Sequence, residues 1–391
     1  MLLMSSAPST SHPLTTALLA QVQQALLLQL PQQAAWLTQG VHHALAQPGK
    51  ALRPRLTLLA AQWLHPQATL ADADKSTPPA WANDELIALA CVPELIHTAT
   101  LLHDDVLDQA DLRRGQPTVR AKWGNQLAIL GGDWLLARAS QTLATLNHPP
   151  LVGLYANVLA QLCEGETLQH MARYQSECPT LPDYEQRLAG KTASLFSAAC
   201  QAPALWLGSG TTATEALAHY GYHLGLAFQW VDDWLDYTGD PAKTGKPVLD
   251  DVAQGLLNGP IVLALAPPEV LPKCDALLAA LTPLHQGNTQ AQLQALALAA
   301  LEQAHTEASA AEEGWQPSPA LQQALQHLKH KLEVTGALQA TQALACYHQQ
   351  QAVSALQLAM DEQTVTPTPP LQQVAFAQLS YVAEQAVARL A

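Results

Sequence analysis

Positive charge is scarce in this sequence. Lys and Arg contribute 18 of its 391 residues against 32 Asp and Glu, which gives a formal net charge of −14 at pH 7. This balance argues against nucleic acids and anionic membrane surfaces as partners, because both attract basic proteins. No Lys or Arg precedes Lys50, so neither the basic n-region of a signal peptide nor an Arg-rich transit peptide is expected.

Cysteine pairs and long apolar runs are also missing. Six cysteines are scattered along the chain, and none forms a Cys-x-x-Cys pair. A zinc site or a disulfide framework is therefore not expected, and a reducing, cytoplasmic location fits. No uninterrupted apolar run reaches the roughly 18 residues that indicate a membrane-spanning helix, so we expect a soluble protein without a transmembrane segment.

Aromatic residues are few, at 5 % of the chain, whereas Ala, Leu and Gln dominate. These common residues favour helices, so an all-α fold is predicted. Residues 1–13 are rich in Ser, Thr and Pro and are expected to form a flexible N-terminus. Residues 14–391 are expected to form a single all-helical domain, with surface inserts at about 65–83 and 285–320.

Apolar periodicity and helix breakers predict where the helices lie. Asp84 is a candidate N-cap of a long helix. We expect a loop from Arg113 to Pro117 and a mobile connection from Gly239 to Pro247. The predicted helices cover Leu14–Leu30, a segment to about Leu45, Leu56–Leu64, Asp84–Asp108 and about 125–146, 150–171, 183–207, 212–237 and 251–266, followed by helix interrupted around 285–290, 315–319 and 364–370.

The apolar, helix-compatible stretch Leu101–Asp108 contains three aspartates close together. On a helix, Asp104 and Asp108 lie one turn apart on the same face, and Asp105 is displaced by roughly 100°. Two anions at this spacing repel one another unless a positive charge lies between them. A hard divalent cation with oxygen ligands, most naturally Mg²⁺, would supply that charge.

The same spacing recurs far along the chain, at Asp232, Asp233 and Asp236 on a second apolar stretch. One copy alone could be a solvated helix turn. Two copies embedded in hydrophobic sequence make chance exposure a poor explanation.

Two of the basic segments lie beside these features. Lys50, Arg53 and Arg55 surround a predicted helix start, where cations oppose the helix dipole, so a bound anion such as diphosphate explains them better than local stability does. A solubilising basic turn is the alternative. Arg113 and Arg114 follow the first aspartate cluster and could either grip phosphate oxygens or simply neutralise the preceding carboxylates.

Three further positions have weaker support. Lys191 and Thr192 bring a cation and a hydroxyl into an apolar helix, which suits a phosphate, although surface lysines with buried stems are common. Lys246 in the Gly-rich connection could be an ordinary exposed lysine. His97 lies seven residues before Asp104 on nearly the same helix face, where a core histidine and a functional one are both reasonable.

A rival metal site must also be weighed. Glu94 with His97, and Glu302 with His305, form two Glu-x-x-His motifs of the kind found in di-iron helix bundles. This hypothesis leaves the doubled aspartate motif and the basic segments unexplained.

Together these parts predict a reaction of diphosphates. Two facing carboxylate clusters could hold several Mg²⁺ ions on one diphosphate and stabilise the charge that grows as it departs. Departure from an allylic carbon leaves a carbocation, which needs a dry apolar chamber. A second diphosphate near Lys50 and Arg53 would supply the attacking alkene.

Five ordered stretches of the sequence carry a family resemblance. They resemble the trans-isoprenyl diphosphate synthases, especially the long-chain polyprenyl members. The stretches are GKALRPRL (49–56), ELIHTATLLHDDVLDQADLRRGQPT (94–118), GNQLAILGGDWLLARA (124–139), GKTASLF (190–196) and FQWVDDWLDYTGDPAKTGKPVLDD (228–251).

The resemblance implies an isoprenoid synthase fold, with antiparallel helices around a central catalytic cavity, usually as a homodimer. It implies that isopentenyl diphosphate and an allylic prenyl diphosphate condense with Mg²⁺ as cofactor, and that the departing diphosphate accepts the final proton. The implied roles follow by group. Isopentenyl diphosphate would contact Lys50, Arg53, His97 and Arg114, and the allylic diphosphate would contact Arg113, Lys191, Thr192, Gln229 and Lys246; Mg²⁺ would bind Asp104, Asp108 and Asp232, with Asp105, Asp233 and Asp236 supporting them or binding through water.

Product length can be argued from the residues that precede the first motif. Ala99 lies five residues before Asp104, on the helix face along which the resemblance predicts that the growing chain descends. Ala leaves this path open where an aromatic residue would close it, and Ile96 does not obviously seal the next turn. A long-chain product, used as a quinone side-chain precursor, is therefore expected.

Two alternative functions stay open, and the sequence differs from the family pattern at one place. A terpene cyclase or head-to-head coupling enzyme would share the fold, and a non-catalytic partner subunit of a heteromeric synthase would share much of the sequence. Asn258-Gly259-Pro260 stands where the family often has a Thr-containing triplet, which would alter the packing of that helix start.

Overall fold

The computed structural model describes residues 13–46, 49–65, 79, 81–240, 248–310, 315–362 and 370–390. Within these ranges the chain is helical apart from one short hairpin, which confirms the predicted all-α class. The expected flexible N-terminus up to His12, most of the 65–83 insert and the Gly-rich connection with Lys246 lie outside the described residues.

The elements are numbered in chain order. They are α1 Pro13–Leu27, α2 Ala35–Ala46, α3 Leu52–Trp63, α4 Asp84–Leu107, β1 Leu112–Arg113, β2 Gln116–Pro117, α5 Val119–Trp123, α6 Asn125–Thr145, α7 Pro149–Met171, α8 Leu181–Leu188, a π-helical turn Ala189–Ala193, α9 Ser194–Trp206, α10 Thr211–Thr238, α11 Asp250–Ala253, α12 Gly259–Leu265, a 3₁₀ turn Pro268–Val270, α13 Asp275–Leu281, α14 Thr289–Ala310, α15 Pro319–Val334, α16 Ala337–Asp361, α17 Pro370–Val387 and a 3₁₀ turn Ala388–Leu390.

Several predicted boundaries need correction at chain reversals. Asn83, not Asp84, caps α4, because its side chain accepts a hydrogen bond from the Leu86 backbone N–H at 3.0 Å. The predicted loop from Arg113 to Pro117 is a hairpin, in which Leu112 pairs with Pro117. Arg114 and Gly115 have φ values of 53° and 74°, as a tight turn between two strands requires.

Two long predicted helices are interrupted. The helix expected over 183–207 contains the π-helical turn Ala189–Ala193, and the one expected over 251–266 is divided into α11 and α12. The second break follows Gly255, whose φ of 86° is outside the helical region. Neither break disturbs the apolar periodicity, so the sequence pattern does not reveal it.

Contact clustering divides the chain into two compact units. Unit 1 comprises Met1–Asn157, Leu195–Gly221 and Ala355–Tyr381. Its centre is α4, which is packed against α1, α3 and α6 and buries Pro93 within its length. A Cβ at Gly132 of α6 would collide with the His103 ring, so the missing side chain permits the close contact between α4 and α6.

Unit 2 comprises Val158–Ser194, Tyr222–Ser354 and Val382–Ala391. Its core is formed by Leu, Ala, Val and Ile side chains with the buried rings of Tyr184, Trp230 and Tyr237. Within this unit α7 lies very close to the π-helical turn, because a Cβ at Gly165 would lie 2.5 Å from the Lys191 backbone nitrogen.

One described helix, α4, is long and apolar enough to cross a membrane by length and composition, with a mean hydropathy of 1.5 over the relevant window. About two thirds of that window is buried inside the protein (67 %), and the core helix of a soluble protein meets the same criteria. The absence of a transmembrane segment therefore stays a prediction.

Candidate active site

The first aspartate motif lies at the C-terminal end of α4. Asp104 is partly buried, Asp105 is buried and Asp108 is exposed. Carboxylates in the last turn of a helix oppose the negative end of its dipole, so helix stability does not explain this cluster.

Arg113 on β1 neutralises the middle aspartate. Its Nε and Nη2 donate to Asp105 Oδ1 at 2.9 and 2.8 Å. Burial raises the pKa of Asp105, and the guanidinium acts in the opposite direction. Asp111 is paired separately with Arg120 at 2.6 Å. Charge neutralisation, one of the two interpretations of the Arg113–Arg114 pair, is thus part of what Arg113 does.

The basic segments predicted for one diphosphate meet in a cavity of unit 1. The cavity has a volume of about 70 Å³, and its wall includes Gly49, Glu94, His97, Asp105, Arg113 and Arg114. Separate stretches of the sequence therefore contribute to one concave site. A Cβ at Gly49 would lie 2.7 Å from Arg114 Nη1, so the glycine makes room for this guanidinium.

Two residues predicted to bind isopentenyl diphosphate, Arg53 and His97, have pKa values below their usual range. Burial lowers the pKa of Arg53 to about 10, and the guanidinium lies over the Phe196 ring, 4.6 Å from its centroid. The Arg53 Nε has no hydrogen-bond partner among the described residues. The pKa of His97 is well below its usual range because of burial and the nearby Arg53 and Arg114, so its ring is neutral at physiological pH. Lys50 is exposed just before α3.

The second aspartate motif lies in the C-terminal part of α10, within unit 2. Asp233 is buried and accepts hydrogen bonds from the Tyr184 hydroxyl and, at 3.2 Å, from Gln229 Nε2. Gln229 Oε1 in turn accepts from the Thr192 hydroxyl at 3.1 Å. Burial and the neighbouring Asp251 raise the pKa of Asp233 to about 7.

Asp236 has protein partners on both carboxylate oxygens. Oδ1 accepts from the Asp250 backbone N–H at 3.0 Å, and Oδ2 accepts from Asn258 Nδ2 at 3.2 Å. Burial, Asp251 and Asp250 raise its pKa. A supporting role for Asp236 keeps these partners, whereas direct binding of a metal would require them to be exchanged.

Asp232 and Lys191 are each found in an ion pair. Asp232 Oδ1 lies 2.8 Å from Nη1 of Arg389, whose guanidinium is also above the Phe228 ring. Lys191 Nζ lies 2.7 Å from Glu166 Oε2. Both pairs are partly exposed, so an incoming anion or cation can compete for them.

No group of three or more His, Cys, Asp or Glu side chains within the described ranges is arranged to hold a metal ion. Mg²⁺ is commonly bound through one or two carboxylates together with substrate phosphates, so a complete protein cage is not required. The di-iron hypothesis does need a complete cage, and His305 is stacked on Tyr174 at a centroid distance of 4.7 Å.

Sequence reasoning missed several participants. Arg389, Glu166 and Tyr184 bind predicted site residues, but each is distant in sequence or on an unremarked helix. Asn258 was expected only to alter packing, whereas its amide nitrogen also donates to Asp251 at 3.0 Å and its oxygen accepts from Tyr237 at 2.5 Å. The scarcity of cations was the one sequence signal that could have drawn attention to Arg389.

Comparisons with known proteins show which chains this one resembles. Heptaprenyl diphosphate synthase component 2 of Geobacillus stearothermophilus is 36 % identical over 248 residues, which cover 63 % of this chain and 72 % of that protein. A probable mitochondrial hexaprenyl pyrophosphate synthase of Neurospora crassa is 47 % identical over 182 residues, which cover 45 % of this chain and 40 % of that protein.

A crystal structure of a polyprenyl synthase from Caulobacter crescentus, complexed with calcium and isoprenyl diphosphate, has a similar fold. The TM-score is 0.73 at 29 % identity, with 99 % of this chain and 100 % of that chain covered. A family model described as polyprenyl synthetase matches residues 34–296, which include both aspartate motifs and every basic segment of the site. The chain therefore belongs to the polyprenyl synthetase family, which confirms the resemblance and the isoprenoid synthase fold.

Proposed function

We propose that this chain, a prenyltransferase of the polyprenyl synthetase family, condenses isopentenyl diphosphate with an allylic diphosphate of the farnesyl or geranylgeranyl type to a long-chain all-trans polyprenyl diphosphate. The observation that carries the proposal is the cavity of unit 1, where Arg114, His97 and the Gly49 turn converge beside the Asp105–Arg113 pair. The names of its relatives, which include heptaprenyl and hexaprenyl synthases, support the product class.

Isopentenyl diphosphate is assigned to this cavity. Lys50, Arg53 and Arg114 supply positive charge, and the two guanidinium groups can donate several hydrogen bonds to phosphate oxygens. His97 is neutral, so it contributes an N–H donor without a charge that would repel the neighbouring arginines.

The allylic diphosphate is assigned to Arg113, Lys191, Thr192, Gln229 and Lys246. Arg113 and Lys191 are already paired with carboxylates, and both cations are partly exposed, so each can donate further hydrogen bonds to an incoming anion. Thr192 and Gln229 are linked by a hydrogen bond, which fixes the orientation of the amide.

The aspartates fit a hard divalent cation, and we assign this role to Mg²⁺. All the candidate ligands are carboxylate oxygens, and among the described residues the Asp233 carboxylate is bonded only to the neutral donors Tyr184 and Gln229. Asp104, Asp108 and Asp232 would hold the ions, with Asp105, Asp233 and Asp236 in support. When bound, Mg²⁺ would stabilise negative charge on the departing diphosphate.

The chain's own residues position the substrates and exclude water. The basic groups of the cavity hold the second substrate so that its alkene faces the allylic carbon, and the apolar helices protect the carbocation from water. No side-chain base is required, because the departing diphosphate can accept the final proton.

We infer the long product from Ala99 and Ile96. Both are fully buried on α4, and neither belongs to the wall of the described cavity. An aromatic ring at position 99 would fill the space along this helix face. A quinone side-chain precursor is the proposed use of the product.

We also propose a homodimer in the cytoplasm. Ile129 and Leu130 on α6 and Leu107 and Leu112 near the hairpin are exposed apolar side chains, which suit a partner surface. All six cysteines are free thiols, which agrees with a reducing compartment.

The test is incubation of the purified protein with Mg²⁺, isopentenyl diphosphate and farnesyl diphosphate, followed by chromatography of the products. We expect long-chain polyprenyl diphosphates, and Ala99→Phe should shorten them. An unchanged chain length in Ala99→Phe would refute the geometric argument.

The same assay separates the alternatives. Turnover of an allylic diphosphate without isopentenyl diphosphate would indicate a cyclase or head-to-head coupling enzyme. The Geobacillus relative is named as one component of a synthase, so a partner subunit is the second candidate. Protein that is inactive alone and active when mixed with a second subunit would support it.

A further inference from the structure

Two acidic residues, Glu94 and Asp105, belong to the wall of the cavity proposed for an anion, and Asp105 is already paired with Arg113. Glu94 lies one helical turn before His97 on α4 and belongs to the same cavity wall as Arg113 and Arg114. The roles proposed above do not use it. A carboxylate at this place repels a diphosphate, so its presence needs a physical reason.

The reason lies in the balance of charge before a substrate binds. Arg53 and Arg114 repel one another, and both are attracted by Glu94. Arg53 is partly buried over the Phe196 ring, its Nε has no hydrogen-bond partner among the described residues, and Glu94 acts against the lowering of its pKa by burial. Two uncompensated guanidinium groups in a partly desolvated cavity would destabilise the fold.

Glu94 does not close the cavity by a tight ion pair. No hydrogen bond to Glu94, and no ion pair within 4.0 Å, occurs among the described residues. Burial raises the pKa of Glu94, and Arg53 and Arg114 oppose this rise, so both arginines favour its ionised form. The guanidinium groups therefore keep donors for a ligand while the carboxylate lowers the net charge around them. When a diphosphate enters, it performs the same neutralisation and competes with Glu94.

Resting on the proposed function, we propose that Glu94 is a built-in counter-ion of the isopentenyl diphosphate cavity, which stabilises the substrate-free site and thereby limits the affinity for this substrate. Chain elongation empties and refills the cavity in every cycle. A site that is stable without substrate suits that use better than one with maximal affinity.

The experiment measures steady-state kinetics of Glu94→Gln with Mg²⁺ and farnesyl diphosphate while isopentenyl diphosphate is varied. We expect the KM for isopentenyl diphosphate to fall by about tenfold or more, the order expected when a like charge several ångströms from a bound anion is removed. The KM for the allylic substrate should stay within about twofold. A second readout is melting temperature: the variant should melt lower than the wild type without ligand and show a larger upward shift with inorganic pyrophosphate.

Glu94→Asp and Glu85→Gln are the controls. The first keeps the charge and should keep the wild-type KM within about twofold, which separates charge from shape. The second removes an exposed charge from the first turn of the same helix; it should leave the KM for isopentenyl diphosphate unchanged and lower the melting temperature only slightly, through the helix dipole. A higher KM for isopentenyl diphosphate in Glu94→Gln would overturn the proposal, because Glu94 would then orient the arginines for binding instead of competing with the ligand.

Arg114→Gln distinguishes failure of this inference from failure of the proposed function. If the cavity binds isopentenyl diphosphate, Arg114→Gln must raise its KM whatever Glu94 does. An unchanged KM in Arg114→Gln would refute the cavity assignment itself. A raised KM there with an unchanged KM in Glu94→Gln would refute only the counter-ion role.

Discussion

Asp105 and Asp233 occupy the middle position of two motifs with the same spacing, and both are buried. Asp105 is paired with a cation, Arg113, at 2.8 Å. Asp233 has only neutral hydrogen-bond donors, Tyr184 and Gln229, and its pKa is raised to about 7. The same residue type in the same pattern is therefore compensated in one region and left with excess negative charge in the other.

The last aspartates of the two motifs, Asp108 and Asp236, also have different surroundings. Asp108 is exposed at the end of α4, whereas Asp236 is held by Asn258 and the Asp250 backbone, with Asp251 close by. Asp236 is thus part of a hydrogen-bond network around the buried Asn258, whereas Asp108 lies at the surface. From this difference we expect the second motif to be more sensitive to changes in its neighbours.

The largest expected effect is loss of turnover. Asp104→Asn and Asp232→Asn should each reduce the rate by about three orders of magnitude or more, because each removes a proposed metal ligand and its charge. Incorporation of labelled isopentenyl diphosphate measures the rate, and circular dichroism checks the fold. Near-normal activity in either variant would remove that motif from the site.

The next effect separates the two regions by stability. Asn258→Leu should lower the free energy of unfolding by about 3 kcal/mol, because it leaves the partly buried carboxylates of Asp236 and Asp251 without their amide donor. Arg113→Gln should cost less, about 1–2 kcal/mol, because the glutamine amide can still donate a hydrogen bond to the buried Asp105. Chemical denaturation measures both, and equal losses would abolish the distinction between the motifs.

A smaller effect tests the neutral donors of Asp233. Tyr184→Phe should cost about 1–2 kcal/mol, since it removes one buried hydrogen bond and leaves the ring in place. Tyr222→Phe is the matched control, because the Tyr222 ring has an edge-on contact with His223 and its hydroxyl does not donate to Asp233. Thermal unfolding of the two variants measures the effect. Equal stability of Tyr184→Phe and the control would contradict a stabilising hydrogen bond from Tyr184 to Asp233.

The smallest effect concerns the exposed end of the second motif. Arg389→Gln should lower the Mg²⁺ concentration for half-maximal activity by about two- to fivefold, because the cation beside Asp232 no longer competes with the metal. Arg138→Gln, which removes a cation bonded to Gln29 and Gln141, should leave the Mg²⁺ dependence unchanged. A higher Mg²⁺ requirement in Arg389→Gln would contradict competition between Arg389 and the metal for Asp232.

Composition and periodicity predicted the all-α class and most helices, because both depend on local sequence. They could not predict the environment of Asp236, since its partners Asp250 and Asn258 follow a chain reversal that has no apolar period. Arg389 lies 157 residues from Asp232, and only folding brings the two together. Motif spacing thus identifies candidate ligands, while the distribution of charge around them requires the structure.

The central claim is that both aspartate motifs take part in metal-dependent chain elongation. The most direct measurement compares incorporation of labelled isopentenyl diphosphate into extractable polyprenyl product by the wild type, Asp104→Asn and Asp232→Asn at saturating Mg²⁺. We predict long-chain product from the wild type and almost none from either variant. Product from both variants at the wild-type rate, or none from the wild type supplied with both substrates, would contradict the account.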